Sequence, residues 1–288
     1  MLLMGPFELH SVVTGTIRLD GGAMFGVVPK VLWQDCTDVD DLNRILLFTR
    51  TLLAVDRTNR RIVLCDTGCG SKWAVDQAQR YAVTVQPRAI DDALAALGFQ
   101  SDDVTDVVVT HLHFDHNGGL TDWFDEPGGR TVLRYPRAKH WIHRKHWEHG
   151  QRPHVKDRAS FFPQDFAVLA DAGVLSMIEG DAPPPPFEGL EWFLSHGHTP
   201  YHLHPVFRGD ERNLLFIGDL APTIAHLRLA WVMAYDARPM TTIDEKQAIY
   251  RRCLEQGMLI AFAHDPRTGG VEIDGTVDRP VVARELAL

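Results

Sequence analysis

His111-Leu112-His113-Phe114-Asp115-His116 carries four metal-capable side chains in six positions, and Asn117-Gly118-Gly119 follows it. Imidazole and carboxylate donors suit Zn²⁺ first, and also Fe, Mn or Co. One tetrahedral ion cannot readily take four donors from so short a segment, whereas two adjacent ions can. His111 and His113 then serve one ion. Asp115 and His116, a turn further on, serve a second, with the two ions roughly 3.5–4 Å apart around a shared hydroxide.

Each ion needs further ligands, and the apolar runs show where they come from. Arg61–Cys65 runs into Asp66, Val104–Thr110 into His111 and Met258–Ala263 into His264, while Leu190–Leu194 leads to His198 and Leu214–Ile217 to Asp219. These runs, with Ile45–Val55, read as buried strands. Polar groups at strand ends, where rigid backbone meets loop, are where α/β proteins build their sites. His198, in Gly197-His198-Thr199-Pro200, completes the first set and His264 the second. Asp219 bridges both with its two oxygens. Asp66 reads as the acceptor of a ligand histidine's other N–H, which fixes its tautomer. Asp115 and Asp219 are the candidate catalytic carboxylates.

Helices fall between the strands. Pro87–Leu97 has acids in its first turn and Gly98 as a stop, and Thr242–Gln256 opens on a capping box of Thr242 and Glu245 and stops at Gly257. Arg137–Glu148 and Gln164–Asp171 carry weaker helical patterns. The spacing of His140, His143, His146 and His149 points to a surface or interface helix, with Trp141 and Trp147 as packing or a cleft wall. The mixture predicts a layered α/β architecture in one domain over 1–288. Pro183–Pro186 is a stiff connector inside it.

The chain has 288 residues, 45% hydrophobic and 23% charged, so it can bury a core without a disulfide or structural-metal staple. A net charge of −9 repels polyphosphate and counts against nucleic-acid binding. Four cysteines are too few for a disulfide framework. No apolar run reaches the roughly 18 residues that span a bilayer. MLLMGPFELH lacks the basic region of a signal peptide. The expectation is a cytoplasmic enzyme with no membrane partner.

The ordered set His111-x-His113-x-Asp115-His116, Gly-His198-Thr, Gly-Asp219 and His264 resembles the metallo-β-lactamase superfamily. The resemblance implies a four-layer αββα sandwich with two metals at one edge of the sheets. Leu19-Asp-Gly-Gly-Ala-Met-Phe-Gly-Val-Val-Pro-Lys30, Pro222-Thr223 with His226, Trp231-Val232, Ala234-Tyr235-Asp236 and Pro239-Met240-Thr241 are similar to the YtnP-like subfamily of quorum-quenching lactonases. That implies hydrolysis of a small lactone or ester, N-acyl homoserine lactones foremost, by attack of the metal-bridging hydroxide. It also admits a homodimer, of which the residues themselves carry no sign. Organophosphate triesters, aryl esters and thioesters are alternative substrates for the same ligands. Iron oxidoreductases and RNA-processing nucleases of the superfamily fit this ligand set and charge less well. Met24, Phe25, Phe114 and His226 are candidate substrate-binding residues. Acyl-homoserine lactonases carry a tyrosine three residues after the bridging Asp, and here Pro222 stands there; His226, Tyr201 and Tyr235 are the candidates to replace it.

Overall fold

Leu52, Ala54, Val63 and Cys65 pack into one apolar cluster, while Leu53, Val55, Ile62 and Leu64 pack into another. This is the period-two pattern of strands covered on both faces. In the computed structural model, which describes residues 1–288, these strands belong to the first of two sheets. Its chain segments are β1 (Leu2–Met4), β2 (Phe7–Asp20), β3 (Arg44–Asp56), β4 (Arg61–Cys65), β5 (Thr84–Val85) and β6 (Asp106–Val108). After a small hairpin of β7 (Thr121–Trp123) and β8 (Thr131–Leu133) come β9 (Lys139–His143) and β10 (Leu175–Ile178). The order is β1-β2-β3-β4-β6-β9-β10, with β5 on β2. The second sheet takes β11 (Leu190–Ser195), β12 (His202–Arg208), β13 (Asn213–Phe216), β14 (Leu259–Ala261), β15 (Gly270–Thr276) and β16 (Arg279–Glu285) in sequence order.

The sheets face each other across a core in which Phe7, Leu9 and Val108 of the first meet Leu203, Phe207, Leu214 and Phe216 of the second. The first sheet's outer face is covered by helix Ala89–Ala96, through Ile90 and Leu94, and by Trp147 and Phe166. Helix Pro239–Gln256 covers the second through Ile249, Tyr250 and Cys253. These are the layers of an αββα sandwich. Pro183–Pro186 lies in the crossing from β10 to β11, between sheets that share one core. No helix is long and apolar enough to cross a membrane.

Strand direction gathers the site. β4 and β6 are parallel, as are β13 and β14. β11 and β13 each run antiparallel to β12, so they too share a direction. Within the first sheet Asp66 and His111, and within the second His198, Asp219 and His264, therefore follow the C-terminal ends of like-directed strands.

Several local expectations are corrected. Val104–Thr110 is a strand only over Asp106–Val108. Arg137–Glu148 is not one helix: Lys139–His143 joins the first sheet and the helix spans Arg144–Gln151. His140, His143 and His146 are buried, so no surface histidine helix exists. Trp147 packs in the core, and Trp141 donates its indole N–H to Asp106 at 2.8 Å. Pro239 opens the long helix three residues before Thr242, and Glu245 caps a neighbouring loop instead of its own helix.

Two glycine-bearing loops meet backbone to backbone beneath the ligand segment. A Cβ on Gly118 would sit 2.0 Å from the Cys69 carbonyl oxygen, and one on Gly70 would sit 2.1 Å from the Gly118 carbonyl oxygen. Neither neighbour is a side chain that can swing away. Gly118→Ala is expected to destabilise the fold by roughly 1–3 kcal/mol. Urea unfolding measures it, and an unchanged midpoint would mean that the two loops separate freely.

Candidate metal centre

His111 and His113 follow β6 in extended backbone, and a single helical turn, Phe114–Asn117, then carries Asp115 and His116. His198, Asp219 and His264 approach from the second sheet's strand ends. Ligand atoms of His111, His113, His198 and Asp219 lie within 4.8 Å of one another, and so do those of Asp115, His116, Asp219 and His264. All seven residues are buried. Asp219 belongs to both sets. Its Oδ1 lies 3.2 Å from Nε2 of both His116 and His264, and its Oδ2 lies 3.3 Å from His198 Nε2.

The hydrogen bonds behind the rings decide which nitrogens face inward. His116 Nδ1–H donates to Asp66 Oδ2 at 2.8 Å, and His264 Nδ1–H donates to the Phe48 carbonyl at 2.8 Å. Both Nε2 atoms are left as lone pairs, yet they face each other at 2.9 Å. His198 Nδ1–H donates to Asp236 at 3.0 Å, which leaves its Nε2 lone pair 3.1 Å from His113 Nδ1. His111 Nδ1–H donates to the Thr110 hydroxyl at 3.0 Å, and that hydroxyl donates on to Asp66 at 2.8 Å. His111 Nε2 and Asp219 Oδ1 are buried without a hydrogen-bond partner. Lone pairs converging at this range repel unless a proton or a cation lies between them, and with buried donor atoms left unpartnered beside them the residues fit two divalent ions.

The electrostatics agree. Burial opposes ionisation of Asp219, but His116, His264 and His198 hold it well below the usual carboxylate range. Burial keeps His111 and His113 well below the usual imidazole value, hence neutral. Burial works against charge on His116 too, yet Asp219, Asp115 and Asp66 outweigh it and lift that imidazole well above its usual value. Clustered carboxylates thus draw positive charge into the site, which bound cations supply in place of protons.

Asp66 orients His116 directly and His111 through Thr110. A further pin was hidden from the sequence. His146 Nε2 accepts from Leu112 N–H and its Nδ1–H donates to the Pro200 carbonyl, both at 2.8 Å, tying the first ligand segment to the His198 loop. Burial pushes His146 down to about 3, so it stays neutral in this role. Asp236 appears in the sequence only within the subfamily-like Ala234-Tyr235-Asp236, where nothing marks it as the acceptor for His198, 38 residues away.

A cleft opens over the two donor sets, lined by His113, Asp115, His198, Asp219 and His264. Leu19, Met24, Leu47, Phe114 and Met233 make its apolar wall, and Tyr81, Ser160 and Tyr235 add hydroxyls. Met24 and Phe114 thus line the cleft, but Phe25 and His226 do not. Phe25 is stacked between Trp33, at 4.9 Å, and His226, at 4.7 Å. His226 spends both nitrogens internally, on Thr223 and on the Met24 carbonyl, each at 2.8 Å. They back the wall from behind. Of the candidates for the missing tyrosine, only Tyr235 reaches the cleft; the Tyr201 hydroxyl accepts from Lys145 Nζ at 2.6 Å instead.

A family model described as the metallo-beta-lactamase superfamily matches residues 51–249. The chain belongs to the metallo-β-lactamase superfamily. It is 26% identical over 180 residues to the N-acyl homoserine lactonase AttM of Azorhizobium caulinodans, a match spanning 59% of this chain and 62% of that protein. A probable metal-dependent hydrolase from Staphylococcus aureus superposes with a TM-score of 0.86 at 27% identity, covering 99% of this chain and 100% of the other. AidC, a dizinc quorum-quenching lactonase bound to its product, shares the fold with a TM-score of 0.79 at 17% identity, covering 100% and 97%. The superfamily and the two donor sets mark a metal-binding centre, and the chain spans about 62% of the length of the AttM relative it matches.

Asp66→Asn keeps the shape, but its amide NH2 must face either the Thr110 N–H now held by Oδ1 at 2.9 Å, or the Thr110 hydroxyl and His116 Nδ1–H now held by Oδ2. Metal affinity is expected to fall about 10–100-fold with the fold intact. Chelator competition alongside circular dichroism measures this, and wild-type affinity would remove Asp66 from the centre.

Proposed function

We propose that this chain is a two-metal lactonase whose foremost substrates are N-acyl homoserine lactones and whose ions are Zn²⁺. The observation that carries the reading is the cleft wall. It is apolar along Leu19, Met24, Leu47, Phe114 and Met233, and neither lysine nor arginine lines it. Such a surface favours a neutral substrate with a hydrocarbon tail over a phosphorylated or carboxylate-rich one. AttM, a distant relative, is named as a lactonase of this kind, and AidC holds an acyl-homoserine product on the same fold. The histidine-rich donor set suits Zn²⁺.

His111, His113, His198 and one oxygen of Asp219 would hold one ion, and Asp115, His116, His264 and the other oxygen would hold the second. When bound, the ions supply Lewis acidity to the lactone carbonyl and acidify a water for attack. Asp115 and Asp219 face the cleft and can take up the proton released there. The apolar wall seats the acyl tail and keeps bulk water from the reacting ester. Burial pushes the Tyr235 phenol up to about 12, so it remains a neutral hydrogen-bond donor throughout the working range. It takes the part of the tyrosine replaced by Pro222, donating to the substrate. We also infer a cytoplasmic setting, which the four unpaired thiols favour.

Two equivalents of metal per chain and ring opening in a pH-stat are the expected results. Asp115→Asn or His116→Ala should cut kcat/KM about 10³-fold or more, roughly 4 kcal/mol of barrier, with the fold retained. The panel should span lactone chain lengths, a phosphotriester and thioesters. Faster turnover of the phosphotriester or thioester, or full activity with one ion, would refute the lactonase reading.

A further inference from the structure

Lys246 lies on the buried stripe of helix Pro239–Gln256, in line with Thr242, Ile249, Tyr250 and Cys253, and is fully buried. A lysine at such a position is costly unless its donors are satisfied. Its Nζ donates to the carbonyls of Arg228 and Trp231, each at 2.9 Å. These carbonyls open the segment that delivers Met233 and Tyr235 to the cleft and Asp236 to His198. Asp236 is doubly engaged: one oxygen accepts from His198 Nδ1–H and the other from Met233 N–H at 3.3 Å.

The preceding residue holds the other half of the same contact. Glu245 accepts from the backbone N–H groups of His196, at 2.6 Å, and Gly197, at 3.0 Å. One turn earlier, Thr242 lies so near Gly197 that a Cβ there would meet its Oγ1 at 2.3 Å. Adjacent residues of one helix thus grip the two segments that meet at the His198–Asp236 hydrogen bond. Two backbone bonds close the arrangement, from Ala237 N–H to the His198 carbonyl at 3.0 Å and from Arg238 N–H to the Gly197 carbonyl at 2.7 Å.

We propose that the Glu245–Lys246 pair is a positioning clamp for His198, and so sets the affinity of the His111/His113/His198 ion without touching either ion. The proposal rests on the two-metal reading, not on the substrate. It follows that the two ions differ in what supports them. Burial pushes Lys246 down to about 7, but an ammonium and a neutral amine each have the two N–H donors that the carbonyls require.

The test is Co²⁺ titration of metal-free protein, followed by calorimetry and by d–d absorption. Wild type is expected to take up two ions. Lys246→Met should keep one at wild-type affinity and bind the other about 10–100-fold more weakly. The retained ion should disappear when His264→Ala is added. Glu245→Gln, which leaves a single acceptor for two N–H groups, should weaken the same ion several-fold. It decides the matter should Lys246→Met fail to fold by circular dichroism. Two ions at wild-type affinity in the folded variants would overturn the clamp, and so would equal weakening of both ions, the mark of general loosening. A wild-type chain without two Co²⁺ sites would sink the metal centre itself and the clamp with it.

Discussion

Everything at this site depends on aiming imidazole lone pairs at a shared space. A ring nitrogen is fixed as a ligand when the other nitrogen's hydrogen is committed elsewhere, which holds for four of the five histidines here and not for His113. Asp66, Phe48, Asp236 and Thr110 take those hydrogens from His116, His264, His198 and His111 respectively. Asp219 then lies between the two groups of rings with one oxygen toward each. The arrangement is electrostatically unfavourable for an apoprotein, and burial makes it more so. The core must hold it in place, which is why the ligands leave the ends of strands and not the middles of loops.

His111, His198, Asp219 and His264 were legible because each follows an apolar run, and His113, Asp115 and His116 because they crowd the same six positions. That signal survives without knowledge of the partner. Of the orienting residues, Asp66 gives the same signal at the end of Arg61–Cys65, but Asp236 and His146 do not. Asp236 sits in an unremarkable turn, and its role appears only once His198 is brought beside it. His146 looked like one rung of a helical ladder; its neighbours His140 and His143 lie on a strand, and burial converts it into a neutral bridge between two loops. Strand β12, His-Leu-His-Pro-Val-Phe-Arg, was missed because its histidines read as polar, although His202 and His204 are fully buried. The long β2 was missed too, since mixed burial along Phe7–Asp20 erases the alternation.

Thr242 and Glu245 show how a correct local rule can lose to packing. Their spacing is that of a capping box. Pro239 is better suited to open the helix, because its fixed φ is already helical and its missing N–H is not needed there. Once the helix begins at Pro239, Glu245 lies too deep to cap it, and its carboxylate is free to hold the His196–Gly197 backbone. Phe25 and His226 illustrate a related limit. They belong to the same sequence neighbourhoods as Met24 and Thr223, but the stack with Trp33 places them one layer behind the wall.

The two donor sets differ in what braces them. His116 and His264 are tied to strand-bound groups of the first sheet: His116 through Asp66 at the end of β4, and His264 through Phe48 of β3, which also donates its N–H to the His264 carbonyl at 3.0 Å. Thr67 N–H holds the His116 carbonyl at 2.7 Å as well. His198, by contrast, is braced by a loop residue, Asp236, whose segment is gripped by helix Pro239–Gln256 and by Ala23 and Lys156 through Ala234. The cleft wall grows from the same loop, through Met233 and Tyr235. Loops open at lower free energy than core strands. The Asp115/His116/His264 set is therefore held by the stiffer elements, while His198 shares its bracing loop with the cleft wall. One loop thus carries both the Asp236 carboxylate behind His198 and the Met233 and Tyr235 side chains of the cleft wall.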